Sequence, residues 1–115
     1  MALTFRVAAA SIAEAADLPL TEAQVRIEII GKNVTHLERY HRTYNPDGTA
    51  AGGDGRFGWM GTYRLEKDGR VCLKAQGDTP CFQYYRRNGQ LRVRRTDSGS
   101  PGDIGPVTVE AMPKR

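Results

Sequence analysis

The sequence contains few of the residues that metal and redox centres use. Its 115 residues include two cysteines and two histidines, whereas a structural zinc site needs about four ligands. Cys72 and Cys81 fit neither the C-x(2–4)-C spacing of zinc sites nor the C-x-x-C spacing of redox pairs. On a single strand, His36 and His41 would face opposite sides. We therefore predict no metal site, and we predict no cofactor.

Long apolar runs and catalytic signature motifs are also absent. No segment approaches the ~18 to 20 apolar residues that a membrane-spanning helix needs, so no membrane span is predicted. The sequence has no P-loop, no HExxH, no GxSxG and no dinucleotide-binding glycine pattern after a strand. We therefore expect a protein that is not an enzyme. The alternative is a small enzyme in which His36, Glu38 and His41 act as acid and base groups.

Positive charge is concentrated in one segment. The chain has a formal net charge of +4, and residues 82–95 contain five arginines without an acidic residue. Local positive potential favours anionic partners, although such a face is often simply solvated. We expect an anionic ligand or an acidic protein surface as the partner. The expected basic sheet surface consists of Arg64, Tyr85, Arg86, Arg92 and Arg94.

The N-terminal segment has features of an export signal. A short alanine-rich stretch precedes small residues at Ala13 and Ala15, which fit an A-x-A cleavage site. Residues 1–16 are therefore expected to be either a signal-like segment or an N-terminal helix. We expect a single β-rich domain over residues 17–112 and a tail over residues 113–115.

The clearest helix signal lies near the start of the expected domain. Thr21 is a suitable N-cap and Gln24 stands at N3, which completes a capping box. Gly31 supplies a C-terminal stop. The pattern predicts a helix over residues 22–30, although its β-branched second half would also suit the start of a strand.

The sequence after Lys32 has the turn residues of β-hairpins. The segments NPDG, KDGR, GDTP and NGQ favour tight turns and separate strand candidates. VTHLERYHRTY is predicted as one strand, VTVEAM as the last strand, and the glycine-rich AAGGDGRFG as a mobile loop. The expected fold is mainly β, within the α+β class. One N-terminal helix would pack on a twisted antiparallel sheet or small open barrel of five to six strands.

The period of two along each strand predicts which side chains are buried. Arg92 and Arg94 alternate with apolar neighbours and should point outward, together with Tyr85. The predicted core consists of Val25, Ile29, Leu37, Trp59, Tyr63, Leu65, Val71, Leu73, Phe82, Leu91, Val93, Val107 and Val109.

The aromatic and arginine content of this sheet also fits a second binding function. An OB-like barrel binds single-stranded nucleic acid by stacking bases on aromatic rings and by contacting the backbone with cations. Tyr85 and the same arginines could form such a surface. Nucleic acid is therefore an alternative partner.

The two cysteines are predicted to face each other across one hairpin that has GDTP near its tip. A disulfide there would close a loop of about ten residues and stabilise the fold by roughly 2 to 3 kcal/mol. Such a bond persists only in an oxidising compartment. The expected localisation is therefore periplasmic or secreted. The alternative is a cytoplasmic protein with unpaired Cys72 and Cys81.

Several of these motifs occur in a characteristic order. LTEAQVR, IIGKNV and YNPDGT are followed by GTYRLEKDGRVCLKAQGDTPCFQYYRRNGQ. In this arrangement the chain resembles small exported two-cysteine β-domain proteins of unknown function from alphaproteobacteria. The resemblance covers about residues 20–110 and consists of turns and the cysteine pair. It implies a periplasmic β domain and identifies no catalytic residue.

Overall fold

The computed structural model describes residues 16–97 and 102–112. These residues form nine strands and one helix. The elements in chain order are β1 (Leu18–Pro19), α1 (Glu22–Glu28), β2 (Lys32–His36), β3 (Tyr40–Tyr44), β4 (Thr49–Gly53), β5 (Gly58–Leu65), β6 (Val71–Lys74), β7 (Cys81–Arg87), β8 (Gln90–Arg95) and β9 (Gly102–Ala111). The expectations for the N-terminal segment, apart from Ala16, and for the tail lie outside the described residues.

Strands β2 to β9 close into an eight-stranded antiparallel barrel. Each of these strands pairs with the next along the chain, and β9 returns to pair with β2, with Val109 opposite Val34. Strand β1 is an additional strand that pairs with the second half of β7. Closure leaves no free edge in the barrel wall. The predicted fold class, a sheet or open barrel of five to six strands, is therefore wrong.

One reason for the error is a turn that the sequence does not mark. The segment predicted as a single strand is a hairpin, in which β2 ends at His36 and β3 begins at Tyr40. Leu37 and Glu38 in the turn have φ values of 53° and 61°. Positive φ is usually adopted by glycine or asparagine. Because neither Leu37 nor Glu38 is a residue type that is common in tight turns, the sequence gives no sign that a turn separates the two strands.

The glycine-rich stretch is also part of a hairpin. Its first four residues lie in β4, which pairs with β5 so that Gly52 lies opposite Trp59. The carboxylate of Asp54 accepts backbone N–H bonds from Arg56 and Phe57, at 3.0 and 3.1 Å, and thereby closes the turn. The prediction of a loop therefore holds for residues 54–57 and is wrong for the four residues in β4 and for Gly58 in β5.

Helix α1 confirms the predicted start signal. The Thr21 hydroxyl accepts the Gln24 backbone N–H at 3.2 Å, and the Gln24 side chain accepts the Thr21 backbone N–H at 2.8 Å. The helix ends at Glu28, two residues before the predicted end, and Gly31 has a φ of 80°. In the described part of the chain, no helix has the length and apolar character required to cross a membrane.

The helix lies at one end of the barrel, which we call the helix end. Leu20, Val25 and Ile29 are buried there and belong to one core cluster with Val71 and Tyr84. The turns at residues 45–48, 66–70 and 88–89 lie at the same end. The opposite end, which we call the mouth, carries the turns at residues 37–39, 54–57 and 75–80.

Most of the predicted core is confirmed. The buried members are Val25, Ile29, Val71, Leu73, Phe82, Val93 and Val107, and the partly buried members that pack against them are Trp59, Tyr63, Leu65, Leu91 and Val109. Leu37 is 48% exposed in its turn, so its assignment to the core is wrong. The alternation of buried and exposed side chains does not apply to Leu37, because this residue lies in the turn between β2 and β3.

The predicted disulfide is present on the outer face of the β6–β7 hairpin. Cys72 and Cys81 are cross-strand partners with Cα atoms 4.0 Å apart, and they form a disulfide bond. Such a bond is compatible with an oxidising compartment.

Candidate functional site

The predicted basic surface is divided among separate parts of the barrel. Arg64 lies on β5 and forms an ion pair with Glu66. Arg86 lies at the helix end and binds Glu28 of α1. Arg92 and Arg94 lie together on β8. The structure therefore does not bring the predicted binding residues into one surface.

Tyr85, Arg92 and Arg94 form a charge-paired cluster on the outer face. The Tyr85 hydroxyl donates to Asp103 at 2.6 Å, and the Arg94 guanidinium carbon lies 4.2 Å from the centre of the Tyr85 ring. Arg92 binds Asp103 at 2.7 Å, and Arg94 binds Asp17 at 3.0 Å. Tyr85 is 0% exposed, so the prediction that its ring is available on the surface is wrong.

These contacts change the electrostatic character of the outer face. The hydrogen bond from Tyr85, supported by Arg92, holds the pKa of Asp103 below its usual value. Asp103 is therefore ionised at neutral pH and balances arginine charge. Anion binding by Arg92 and Arg94 stays a prediction, but an anion would have to compete with carboxylates that are already bound.

Arg42 is the buried arginine of the barrel interior. It lies on the inner face of β3 and is 9% exposed. Its Nη1 donates to the Tyr44 hydroxyl at 3.1 Å, and that hydroxyl shares a hydrogen bond with the Tyr84 hydroxyl at 2.8 Å. The guanidinium carbon lies 4.2 Å from the centre of the Phe82 ring. Within residues 16–97 and 102–112, no carboxylate forms an ion pair with Arg42.

Among the described residues, Arg42 uses few of its hydrogen-bond donors. A guanidinium carries five N–H groups, and the described contacts of Arg42 use Nη1 alone. Among the described residues, every buried side-chain nitrogen or oxygen has a hydrogen-bond partner. Nε and Nη2 of Arg42 form no described hydrogen bond within residues 16–97 and 102–112. Arg42 lines two cavities at the mouth.

Arg42 and Trp59 line both cavities, so the two cavities are neighbours. The first has a volume of about 220 Å³, and Tyr40 and Phe57 contribute aromatic side chains to it. The second has a volume of about 300 Å³, and its apolar lining includes Phe82. We call Arg42, Trp59 and these two cavities the mouth site.

Trp59 is held against a glycine on the neighbouring strand. A Cβ atom at Gly52 would lie 2.6 Å from Cζ2 of the Trp59 indole, closer than atoms can approach. Glycine at this position therefore leaves the space that the indole occupies. Trp59 is the only tryptophan in the sequence, so its fluorescence reports directly on the mouth site.

His36 contributes a neutral ring to the first cavity. Burial lowers the pKa of His36 to about 4, and the neighbouring charges of Arg42 and His41 lower it in the same direction. The ring stacks on Tyr40 with 5.4 Å between ring centres. His36 is therefore uncharged at neutral pH and adds no positive charge to the mouth.

The predicted acid and base residues do not form a cluster. Glu38 lies in the exposed turn after His36. His41 is exposed at the rim of the first cavity and its Nδ1 is 3.0 Å from the Thr35 hydroxyl. No described hydrogen bond joins His36, Glu38 and His41 to one another. Within the described ranges, no group of three or more His, Cys, Asp or Glu residues is arranged to hold a metal ion.

Several charged side chains that line or flank the two cavities form ion pairs, including Asp78, which lies 3.7 Å from Arg95. Asp54 lies 3.6 Å from Arg39 of the adjacent turn. Arg95 binds Asp97 at 2.7 Å, and this hydrogen bond lowers the pKa of Asp97 to about 2. Among the arginines and aspartates that line the two cavities, Arg42 is the one that has no ion pair within the described residues.

Sequence reasoning missed Arg42 and its partner Tyr44. Both residues lie an even number of positions from Val34, so alternation from Val34 places them on the same face, and all three are buried. The period of two within RYHRTY also places Arg42 and Tyr44 on one face. An arginine is rarely assigned to a buried face, since arginines are almost never fully buried unless they are paired.

No protein family, curated protein or solved structure was found to match this chain. The resemblance to exported alphaproteobacterial proteins therefore stays a prediction, and the function is inferred from the geometry of the mouth site.

Proposed function

We propose that this domain is a non-enzymatic binding domain, exported to an oxidising compartment such as the periplasm, that binds a small organic anion at the barrel mouth. The observation that supports it most directly is the buried guanidinium of Arg42, which has no carboxylate partner among the described residues and lies between two cavities.

The barrel architecture supports this proposal. An eight-stranded barrel has an interior that side chains just fill or that holds one small ligand. Apolar side chains fill this barrel at the helix end, whereas cavities remain at the mouth. Ligand sites are typically apolar pockets with a few well-placed polar groups. The mouth site has this composition.

The charge of Arg42 supports an anionic ligand. Arginine stays protonated even when it is buried, and a buried charge is costly unless it is paired. The tyrosine hydroxyl and the Phe82 ring compensate part of that cost. An anion that accepts hydrogen bonds from Nε and Nη2 would compensate more, because charge-assisted, bidentate arginine contacts are strong.

This proposal keeps the ligand class expected from the sequence but assigns it to different residues. Arg92 and Arg94 already bind carboxylates, whereas Arg42 binds none in the part of the chain that the structure describes. The disulfide supports the assignment to an oxidising compartment. The same ion pairs and the buried Tyr85 ring make nucleic-acid binding by the outer face less favourable.

The test is a titration of the disulfide-bonded protein with small anions, monitored by Trp59 fluorescence and by calorimetry. Hexanoate, benzoate and phenyl phosphate are the anionic probes, and 1-hexanol and benzyl alcohol are the neutral controls. We expect saturable binding of at least one anion, at least tenfold tighter than that of the matched alcohol. Arg42→Met should weaken anion binding by about 10- to 100-fold, which is the usual worth of a hydrogen bond to a charged group.

Arg64→Met is the matched control, because it removes an exposed arginine on the outer face and should leave the affinity unchanged. Circular dichroism and thermal unfolding show whether Arg42→Met is folded, and we expect folding since removal of a buried charge is often tolerated. The proposal fails if none of the anions binds at millimolar concentration, or if folded Arg42→Met binds them as tightly as the parent.

A further inference from the structure

We propose that the mouth site selects a small apolar monocarboxylate over phosphate esters and dicarboxylates. This inference rests on the proposed function, because it names the chemical class of the anion that the same site binds.

The number of charges at the mouth favours a singly charged ligand. Arg42 supplies one positive charge that has no ion pair among the described residues. Arg95 is bound to Asp97 and lies 3.7 Å from Asp78, and Arg39 lies beside Asp54. A phosphate monoester carries close to two negative charges above its second pKa of about 6. Such a ligand would place a second negative charge near Asp54 and Asp78, which line the two cavities, whereas a monocarboxylate brings a single negative charge to Arg42.

Asp54 adds a specific barrier to a second negative charge. It lines the first cavity, and its side chain is 14% exposed. Backbone N–H bonds from Arg56 and Phe57 fix its position and hold its pKa below the usual value. Asp54 is therefore a fixed negative charge in the wall, and like charges placed close together repel each other strongly where water is excluded.

The remaining lining favours an apolar body of limited size. Tyr40, Phe57 and Trp59 surround the first cavity, and Trp59 and Phe82 contribute to the second. Aromatic side chains offer large apolar surfaces that pack against rings and alkyl groups. The first cavity, at about 220 Å³, is smaller than the usual ligand pocket of about 300 to 1,000 Å³, and the second, at about 300 Å³, is at the lower limit of that range. A benzoate-sized molecule matches this combination of charge, polarity and volume.

The test compares benzoate, phenyl phosphate and phthalate at pH 7.5 by Trp59 fluorescence and calorimetry. We expect benzoate to bind at least tenfold more tightly than either doubly charged probe. Asp54→Asn keeps an oxygen that can accept the turn N–H bonds but removes the charge. This substitution should improve the affinity for phenyl phosphate, relative to that for benzoate, by about three- to tenfold.

Asp68→Asn is the matched control. Asp68 accepts a backbone N–H bond from Arg70 in a hairpin turn at the helix end, so it plays the same local role far from the mouth. This variant should leave the ratio of affinities unchanged.

The outcomes separate the two proposals. Equal or tighter binding of phenyl phosphate, still dependent on Arg42, would overturn the selectivity and leave the proposed function standing. An Asp54→Asn variant with the parent's affinity ratio would overturn the role of Asp54. Failure of every anion to bind would overturn the proposed function and this inference with it.

Discussion

The two ends of the barrel bury different chemistry. At the helix end, Leu20, Val25 and Ile29 fill the space with apolar side chains. At the mouth, Arg42 and His36 are buried beside open cavities. The first arrangement stabilises a fold, since each large apolar side chain contributes roughly 1.5 to 3 kcal/mol when it is fully buried. The second arrangement lowers stability and creates a place for a ligand.

This difference indicates where stability and binding reside in the molecule. A protein under selection for stability alone would have apolar side chains at both ends, because a buried charge usually contributes less to folding stability than a well-packed apolar side chain does. Local features that cost stability tend to occur at functional sites. Substitutions at the helix end should therefore affect unfolding, and substitutions at the mouth should affect binding.

The largest effect on stability is expected for Ile29→Ala at the helix end. Ile29 is completely buried, and truncation of such a side chain leaves a cavity that costs about 2 to 5 kcal/mol of unfolding free energy. Urea unfolding measures this loss. Ile27→Ala, on the same helix segment but 72% exposed, should change the stability by less than about 0.5 kcal/mol. Equal losses of stability in the two variants would contradict the conclusion that the buried apolar side chains at the helix end stabilise the fold.

The comparison can be sharpened by measuring benzoate binding to the same Ile29→Ala protein. Its affinity for the probe should stay within twofold of the parent, because Ile29 lies at the other end of the barrel. A loss of affinity as large as that of Arg42→Met would show that the two ends are coupled.

Removal of the disulfide should have the next largest effect. The double variant Cys72→Ala and Cys81→Ala opens a loop with a sequence separation of 9 residues, which the chain-entropy model values at roughly 2 to 3 kcal/mol. Urea unfolding of the variant and of the oxidised parent measures the difference. Because the bond lies on the outer face, binding at the mouth should persist in the folded variant. A double variant as stable as the oxidised parent would show that the disulfide does not stabilise the fold.

The smallest of the three effects is a pH dependence that originates at the mouth. The pKa of His36 is about 4 in the folded protein, below its ordinary value of 6.5. The unfolded chain therefore binds a proton that the folded protein does not bind within this window. Stability should fall as the pH drops from about 6.5 towards 4.5, by on the order of 2 kcal/mol.

Denaturant unfolding at several pH values tests this prediction. His36→Gln should remove most of the slope in that window, whereas His41→Gln, at the exposed rim, should keep it. A slope that persists in His36→Gln would show that other groups cause it.

Features encoded by neighbouring residues were predictable from the sequence. The capping box at Thr21 and Gln24 depends on residues three apart. The NG turn at Asn88 and Gly89 has positive φ at both residues, as expected for a tight hairpin. The register between Cys72 and Cys81 followed from the turn between them.

Features that depend on distant strands were not predictable in the same way. Leu37 and Glu38 adopt positive φ without glycine, so the turn between β2 and β3 left no signal in the sequence. Closure requires β9 to pair with β2 over a separation of 71 to 79 residues, and no local pattern specifies such a pairing. The strand number and the barrel were therefore missed together.

The sequence by itself determined the local elements: the capped helix, the glycine- and asparagine-marked hairpins and the cysteine pair. These elements depend on backbone propensities and on side chains that are close along the chain. Only the tertiary structure decided that the sheet closes, that Arg92 and Arg94 on the outer face pair with carboxylates, and that Arg42 has no such partner among the described residues. The environment of a charge is set by residues from distant strands, whereas the sequence records only that the charge exists.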